Sequence, residues 1–456
     1  MRRPLLALLF VSACEAGDAA SPRGVVVADA AAAAPDAADA AAPRSFWHLE
    51  RPPDSERAWM VSPRGERTFV LGVDGVLRAD GCDGMSEHLR RSSPEREWAS
   101  LTALGFNSAG AFSEIGDLDA PYSVVLSPVP RGDDRALKDA SGAPLVTGRS
   151  GVKVGDPWSL GFRADLEAML LADVRPLRDD PRLQVFYLGH ETGMFEQARD
   201  LRPWLWSDCP ATSTVPKPHC APHALVKFLH LLYPSVAALN AAWGSSFASI
   251  EEVATAKPAP DEGARGRDLQ RFVLERLLPE WVNLVLYFVR TASGRHVVAA
   301  PRLALGELDP ERASLLARFD LVALNLYSAA PTFEEPWLGD ALRLLAEKTQ
   351  LPVIVSETGL RARIDGWTNT APPLVETQAE RGARYASQLA QLAAYPSVVG
   401  VHWSAWSDRR DATAQANTGL VQCADPARGF TAGTRWPGLD APLARANVEV
   451  GAALGR

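Results

Sequence analysis

The 456-residue chain has no run of basic residues, no Gly-rich phosphate loop and, past its first dozen residues, no apolar stretch long enough to cross a bilayer. Each absence excludes something. A net charge of −8 without a basic tract argues against nucleic acid as a partner. A doubly wound nucleotide-binding sheet would place a Gly-rich turn after an early strand. Leu71-Gly72-Val73-Asp74-Gly75 is too sparse in glycine for that. Residues 15–44 lack aromatic side chains and consist mainly of Ala, Asp and scattered Pro. Such a stretch buries too little apolar surface to fold and reads as a tether.

What is present at the start is a targeting pattern. Arg2 and Arg3 precede the short apolar run 5–11, and Val11-Ser12-Ala13-Cys14 follows. That motif resembles the lipobox of bacterial lipoproteins. The resemblance implies a signal peptide over 1–13, lipidation of Cys14 and a linker over 14–44. The protein is then expected to be exported and anchored by lipid to a bacterial cell membrane, periplasmic or at the cell surface.

Cysteine is scarce. Only Cys82, Cys209, Cys220 and Cys423 remain after Cys14. An even count in an exported chain points to disulfides, with three pairings open. The favoured pairs are Cys209–Cys220, closing a Pro-rich loop, and Cys82–Cys423, which follow the first and last expected strands. Those strands are neighbours only if a sheet closes into a barrel. The alternatives are buried free thiols, or a zinc site from Cys209, His219, Cys220 and His223, whose spacing fits no common pattern. No metal or cofactor is expected.

From residue 45 to 456 apolar runs and helical periodicities alternate. Strands are expected at 68–76, 106–112, 122–129, 183–188, 296–300, 320–326, 353–356 and 398–403. Helices are expected at 94–104, 162–176, 269–291, 310–317, 338–347, 378–394 and 443–454. Two further helices fall at 225–232 and 235–243, inside a polar, Pro-rich insertion spanning 200–266 that is read as a lid. Eight strands alternating with helices predict an α/β fold, a (β/α)8 TIM barrel with a long insertion after strand four.

Barrel enzymes keep their chemistry at the C-terminal ends of the strands. Two runs end abruptly on a carboxylate: Val185-Phe-Tyr-Leu-Gly-His-Glu191 and Pro352-Val-Ile-Val-Ser-Glu357. A facing pair of glutamates is the minimum apparatus of a glycosidase. Strand one ends near Asp74, strand two carries Asn107, Arg302 follows strand five, and strand six gives Asn325 and Tyr327. Strand eight gives His402 and Trp403, followed by Trp406. Carboxylates and amides bind sugar hydroxyls, and aromatic faces stack on pyranose rings. Glu191 and Glu357 are therefore the candidate catalytic pair. Asn107, His190, Asn325, Tyr327, His402, Trp403 and Trp406 are the candidate substrate contacts. Bland alternatives stand beside them: an ion-paired glutamate, a core histidine for His190, rim packing for the tryptophans, and solvated loop charges for Glu114 and Asp408.

These motifs resemble clan A glycoside hydrolases, especially the β-galactosidase and β-agarase-like branches. The resemblance rests on Leu104-Gly105-Phe106-Asn107-Ser108, Ser356-Glu357-Thr358-Gly359, His402-Trp403-Ser404-Ala405-Trp406-Ser407-Asp408 and Asn417-Thr418-Gly419-Leu420-Val421. It implies a retaining hydrolase of β-linked oligo- or polysaccharides. Glu191 would be the acid/base, Glu357 the nucleophile, Tyr327 a partner of Glu357, and a strand-eight tryptophan the floor of the sugar site. One position departs: the clan's acid/base glutamate follows an asparagine, and here it follows His190, a larger ring able to carry charge. That departure keeps a second reading open, a non-catalytic glycan-binding surface lipoprotein. A third reading is a structural protein whose mouth the insertion blocks.

Overall fold

The computed structural model describes residues 46–147, 151–192, 194–195, 200–209, 219–304, 308–367, 372–411 and 415–454. The expected signal peptide, Cys14 and the 14–44 linker lie outside the described residues.

Eight parallel strands close on themselves. In chain order they are Val70–Val73, Ser108–Ala109, Tyr122–Val125, Leu183–Tyr187, Val297–Ala304, Leu321–Leu326, Val353–Thr358 and Val398–Trp403. Each pairs with its neighbours in sequence, and strand eight returns to strand one with His402 opposite Gly72 and Trp403 opposite Val73. This is the (β/α)8 barrel. Alternation along the strands, reset in strand eight by a register slip between Val398 and Gly400, sorts their side chains by face. Val185 and Tyr187 point into the barrel with Val297, Ala299, Leu321, Ala323, Ile354 and Val399. Phe186, Leu188, Val298, Val322, Val355 and Val401 point out against the helices.

A small antiparallel sheet, His48–Glu50, Trp59–Val61 and Arg67–Thr68, precedes the barrel. Its Met60, together with Trp47, packs into the interior cluster and closes the N-terminal end. Helices Pro94–Thr102, Leu160–Met169, Leu278–Ala292, Glu335–Thr349, Gln378–Ala394 and Asp440–Ala453 cover the outside. Residues expected as a helix over 310–317 form a tighter 3-10 segment, Ala313–Arg318. The helix expected at 269–291 begins earlier, at Ala264, and passes through a π-helical turn at Val273–Leu277 before Leu278–Ala292.

The insertion carries helices Ala221–Leu232, Val236–Trp243 and Glu252–Ala256. It is tied down by buried polar contacts. Asp156 accepts from Ser207 Oγ at 2.5 Å and from Ala221 N at 2.8 Å. Asp268 accepts from Trp243 Nε1 at 2.8 Å and from Tyr233 Oη at 2.5 Å. No single described helix is long and apolar enough to cross a membrane.

Both favoured disulfides are present, Cys82–Cys423 and Cys209–Cys220. The first joins the loops after strands one and eight, as barrel closure requires.

Candidate active site

Three strands slip register just below the C-terminal mouth. Irregularities fall between Ala299 and Arg302, between Leu324 and Asn325, and between Val355 and Thr358. A bulge re-aims the side chains that follow it. Here the re-aimed residues include Arg302, Asn325 and Glu357.

Glu357 is the centre of the group. Tyr327 donates its hydroxyl hydrogen to Glu357 Oε1. Arg302 Nη2 lies 3.1 Å from Glu357 Oε2. Burial pushes the Glu357 carboxyl up to about 7; Arg302 opposes that rise, while the charges of Glu191 and Asp74 add to it. Glu191 thus stands near enough for its charge to be felt. Burial, reinforced by Glu357, holds the Tyr327 hydroxyl well above its ordinary value, so it remains a donor.

Glu191 sits opposite, 7 % exposed, and accepts from Asn325 Nδ2 at 3.1 Å. Asn325 Oδ1 in turn accepts from Ser356 Oγ at 3.0 Å, which links the acid to the neighbour of Glu357. The Glu191 backbone is left-handed, with φ of 46°. A residue other than glycine is strained in that region, and such strain gathers at working sites. Phe112, with φ of 62°, shares that conformation.

Arg302 is fully buried beneath the pair. It donates to Asp74 Oδ2 and to Ser356 O, both at 2.5 Å. Burial disfavours its charge, but Asp74 and Glu357 outweigh burial and raise its pKa. Asp74 also accepts from Ala111 N at 2.9 Å and meets His402 Nδ1 at 3.3 Å. Glycine makes this approach possible: a Cβ on Gly110 would lie 2.1 Å from Asp74 Oδ1, and one on Gly72 2.4 Å from the His402 ring.

His190 lies at the same mouth, its ring edge-on to Phe112 at 5.4 Å. Burial and the Arg302 charge lower its pKa to about 3. The ring expected to be able to carry charge is therefore neutral throughout the ordinary pH range.

Four expected contacts are elsewhere. Asn107 stands before strand two, at the N-terminal end of the barrel; its amide accepts from Leu71 N at 2.9 Å and donates to Phe69 O at 3.1 Å, stitching two strands together. It touches no part of the mouth, because strand two begins only at Ser108. Trp403 is fully buried and faces outward, because strand eight slips register between Val398 and Gly400, which takes Trp403 off the inward face of Val399 and sets it beside outward-facing Val73. Arg381 lies over its ring at 4.8 Å and Tyr385 meets it edge-on. Trp406 is also fully buried, so neither indole offers a face to a sugar. His402 is interior and supports Asp74 instead of reaching substrate. Asp408, expected as a solvated loop charge, is 2 % exposed and accepts from Asn417 Nδ2, Gly419 N and Trp436 Nε1 at 2.8–3.0 Å.

Conversely, the sequence places Asp74 and Arg302 at strand ends without giving them a role. It misses Phe112, the aromatic residue ending the apolar run of strand two, which is 38 % exposed and carries the Arg302 guanidinium 5.3 Å from its ring.

Known proteins bear on this geometry. A solved exo-β-agarase superposes with a TM-score of 0.70 at 16% identity, covering 90% of this chain and 65% of its own. Another agarase gives 0.67 at 16% identity, over 90% and 66%. A β-galactosidase from Halorubrum lacusprofundi gives 0.54 at 15% identity, over 84% and 58%. The fold is that of the glycoside hydrolase barrels. In sequence, β-agarase A of Vibrio sp. (strain JT0107) is 25% identical over 174 residues, 38% of this chain but 17% of that protein. No family model matches the chain. The chain spans about two thirds of these agarase structures and a much smaller part of the Vibrio enzyme, so its activity is argued from its own residues.

Proposed function

We propose that the protein is a retaining glycoside hydrolase acting on a β-linked oligo- or polysaccharide. Glu357 would attack the anomeric carbon while Glu191 gives its proton to the departing glycosidic oxygen. A glycosyl ester on Glu357 results. Glu191 then takes a proton from water, whose oxygen displaces Glu357, and the sugar leaves with its original anomeric configuration.

One observation carries this reading: a largely buried glutamate is held from two sides, by the Tyr327 hydroxyl and the Arg302 guanidinium, across the mouth from a second glutamate bound to Asn325. An ion-paired structural glutamate has no need of the second carboxylate. The similar proteins are named agarases and a β-galactosidase, so β-galactosidic linkages are the first to test.

The test is a panel of aryl glycosides and β-linked polysaccharides, with product anomers followed by NMR, on wild type and Glu357→Gln. Retention and loss of turnover in the variant are expected. An inverted product would overturn the nucleophile assignment. Equal behaviour of the two proteins would favour a glycan-binding protein, the reading that His190 in the asparagine position keeps open.

We also carry lipid-anchored export as a proposal, resting on Val11-Ser12-Ala13-Cys14. Labelling with a clickable fatty acid in a bacterial host should mark wild type and spare Cys14→Ser.

A further inference from the structure

Four residues beyond Glu357, the chain leaves strand seven and pairs Arg361–Ala362 with Leu374–Val375. Arg361, Arg363, Asp365, Trp367, Gln415 and Asn417 line a cavity of about 120 Å³ there. Four peptide units limit the separation of the Arg361 and Glu357 Cα atoms to about 15 Å. The cavity is thus within reach of an oligosaccharide lying in the mouth.

Its construction is selective. Arg361 is half-buried and anchored at one point, Nε to Pro372 O at 2.8 Å. Its two Nη groups make no ion pair among the described residues. Arg363 is occupied, gripping Glu376 through Nε at 2.6 Å and Nη2 at 2.8 Å. The two acids nearby, Glu376 and Asp365, both act on Arg363. Arg361 feels only burial and the like charge of Arg363, which lower its pKa. An anion beside Arg361 would relieve both costs. Trp367 is fixed alongside, Nε1 to Asp425 Oδ2 at 3.4 Å and its ring edge-on to Phe430. It supplies an aromatic wall, and Gln415 brings an amide. A cation with open donors, an aromatic wall and an amide suit one kind of ligand: a sugar ring bearing an anionic group.

We infer that this cavity is a subsite for an anionic substituent, a sulfate ester or a carboxylate, on the saccharide, with Arg361 as its binding group. The inference rests on the glycosidase reading for its substrate but not for its test.

Three β-linked galacto-oligosaccharides of equal length, one neutral, one sulfated and one carrying a uronate, are compared by kcat/KM on wild type and Arg361→Gln. The variant should lose at least about tenfold more on an anionic oligosaccharide than on the neutral one. That excess should shrink as salt rises. Arg361→Lys, which keeps the charge, should lose less. The identity of the affected oligosaccharide, sulfated or uronate, names the substituent. Equal losses on all three, or none on either anionic one, would overturn the subsite. If no sugar is turned over, calorimetry on the Glu357→Gln protein decides separately. Anionic oligosaccharide bound there and lost on adding Arg361→Gln supports the subsite while the glycosidase reading fails. Indifference to the substituent removes the subsite alone.

Discussion

Arg302 Nη2 lies 3.1 Å from Glu357 Oε2, in a place where the arginine itself has no exposure to solvent. The guanidinium is the cation that holds an otherwise desolvated carboxylate toward its ionised form. Because Asp74 binds the same guanidinium, the charge of strand one reaches the carboxylate of strand seven through strand five.

The first prediction follows from that carboxylate. Only ionised Glu357 can attack, and its value stands at about 7. The acid limb of kcat/KM should therefore fall as pH drops below about 7. Stability should run the other way. The folded value lies above the ordinary 4.5, so the native state keeps this proton to higher pH than the unfolded chain. Its contribution weakens from about pH 4.5 through 7. Glu357→Gln should raise the thermal midpoint at pH 8 and give little change at pH 5. Melts of both proteins across this range check the sign.

Arg302→Met should abolish most activity and move the surviving acid limb to higher pH, because burial then acts unopposed. Arg302→Lys should not restore the rate: its ammonium ends one bond short of Nη2, the single nitrogen that contacts Asp74, Ser356 O and Glu357. A pH–rate series on both variants separates this role from simple packing. Packing loss would lower the rate without moving the limb.

Phe112→Ala should raise KM about three- to tenfold with kcat little changed, if this exposed ring is the stacking surface. The fully buried Trp403 and Trp406 should behave differently. Truncating either should cost about 3–5 kcal/mol of stability, measured by denaturant unfolding.

Cys82 and Cys423 are separated by 341 residues, Cys209 and Cys220 by 11. Breaking the long link should cost about 2–5 kcal/mol and breaking the short one less, since loop-closure entropy grows with loop length. Thermal melts of Cys423→Ser and Cys209→Ser give the comparison. A larger loss from Cys209→Ser would contradict it.

The barrel was legible because its strands are short β-branched or aromatic runs bounded by polar residues, a pattern that local sequence carries. The positions of Glu191, Asn325, Tyr327 and Glu357 followed from the rule that such runs end at the mouth. What failed depended on phase and register. Trp403 belongs to the run of strand eight, but a register slip between Val398 and Gly400 reverses its phase relative to Val399 and turns it outward. Asn107 looked like a strand-end residue until the strand proved to be two residues long and to start after it. The pairing of Arg302 with Asp74 spans 228 residues, and no local pattern announces it. The neutrality of His190 comes from its burial and then from the charge of that same arginine.

The link between the first and last barrel strands makes most of the folded chain a covalent ring. A protease that cuts once in any loop between Cys82 and Cys423 opens the ring but frees no fragment. Two cuts are needed before a piece can leave. Where proteases are abundant, a nicked molecule would still hold both glutamate-bearing strands on one scaffold.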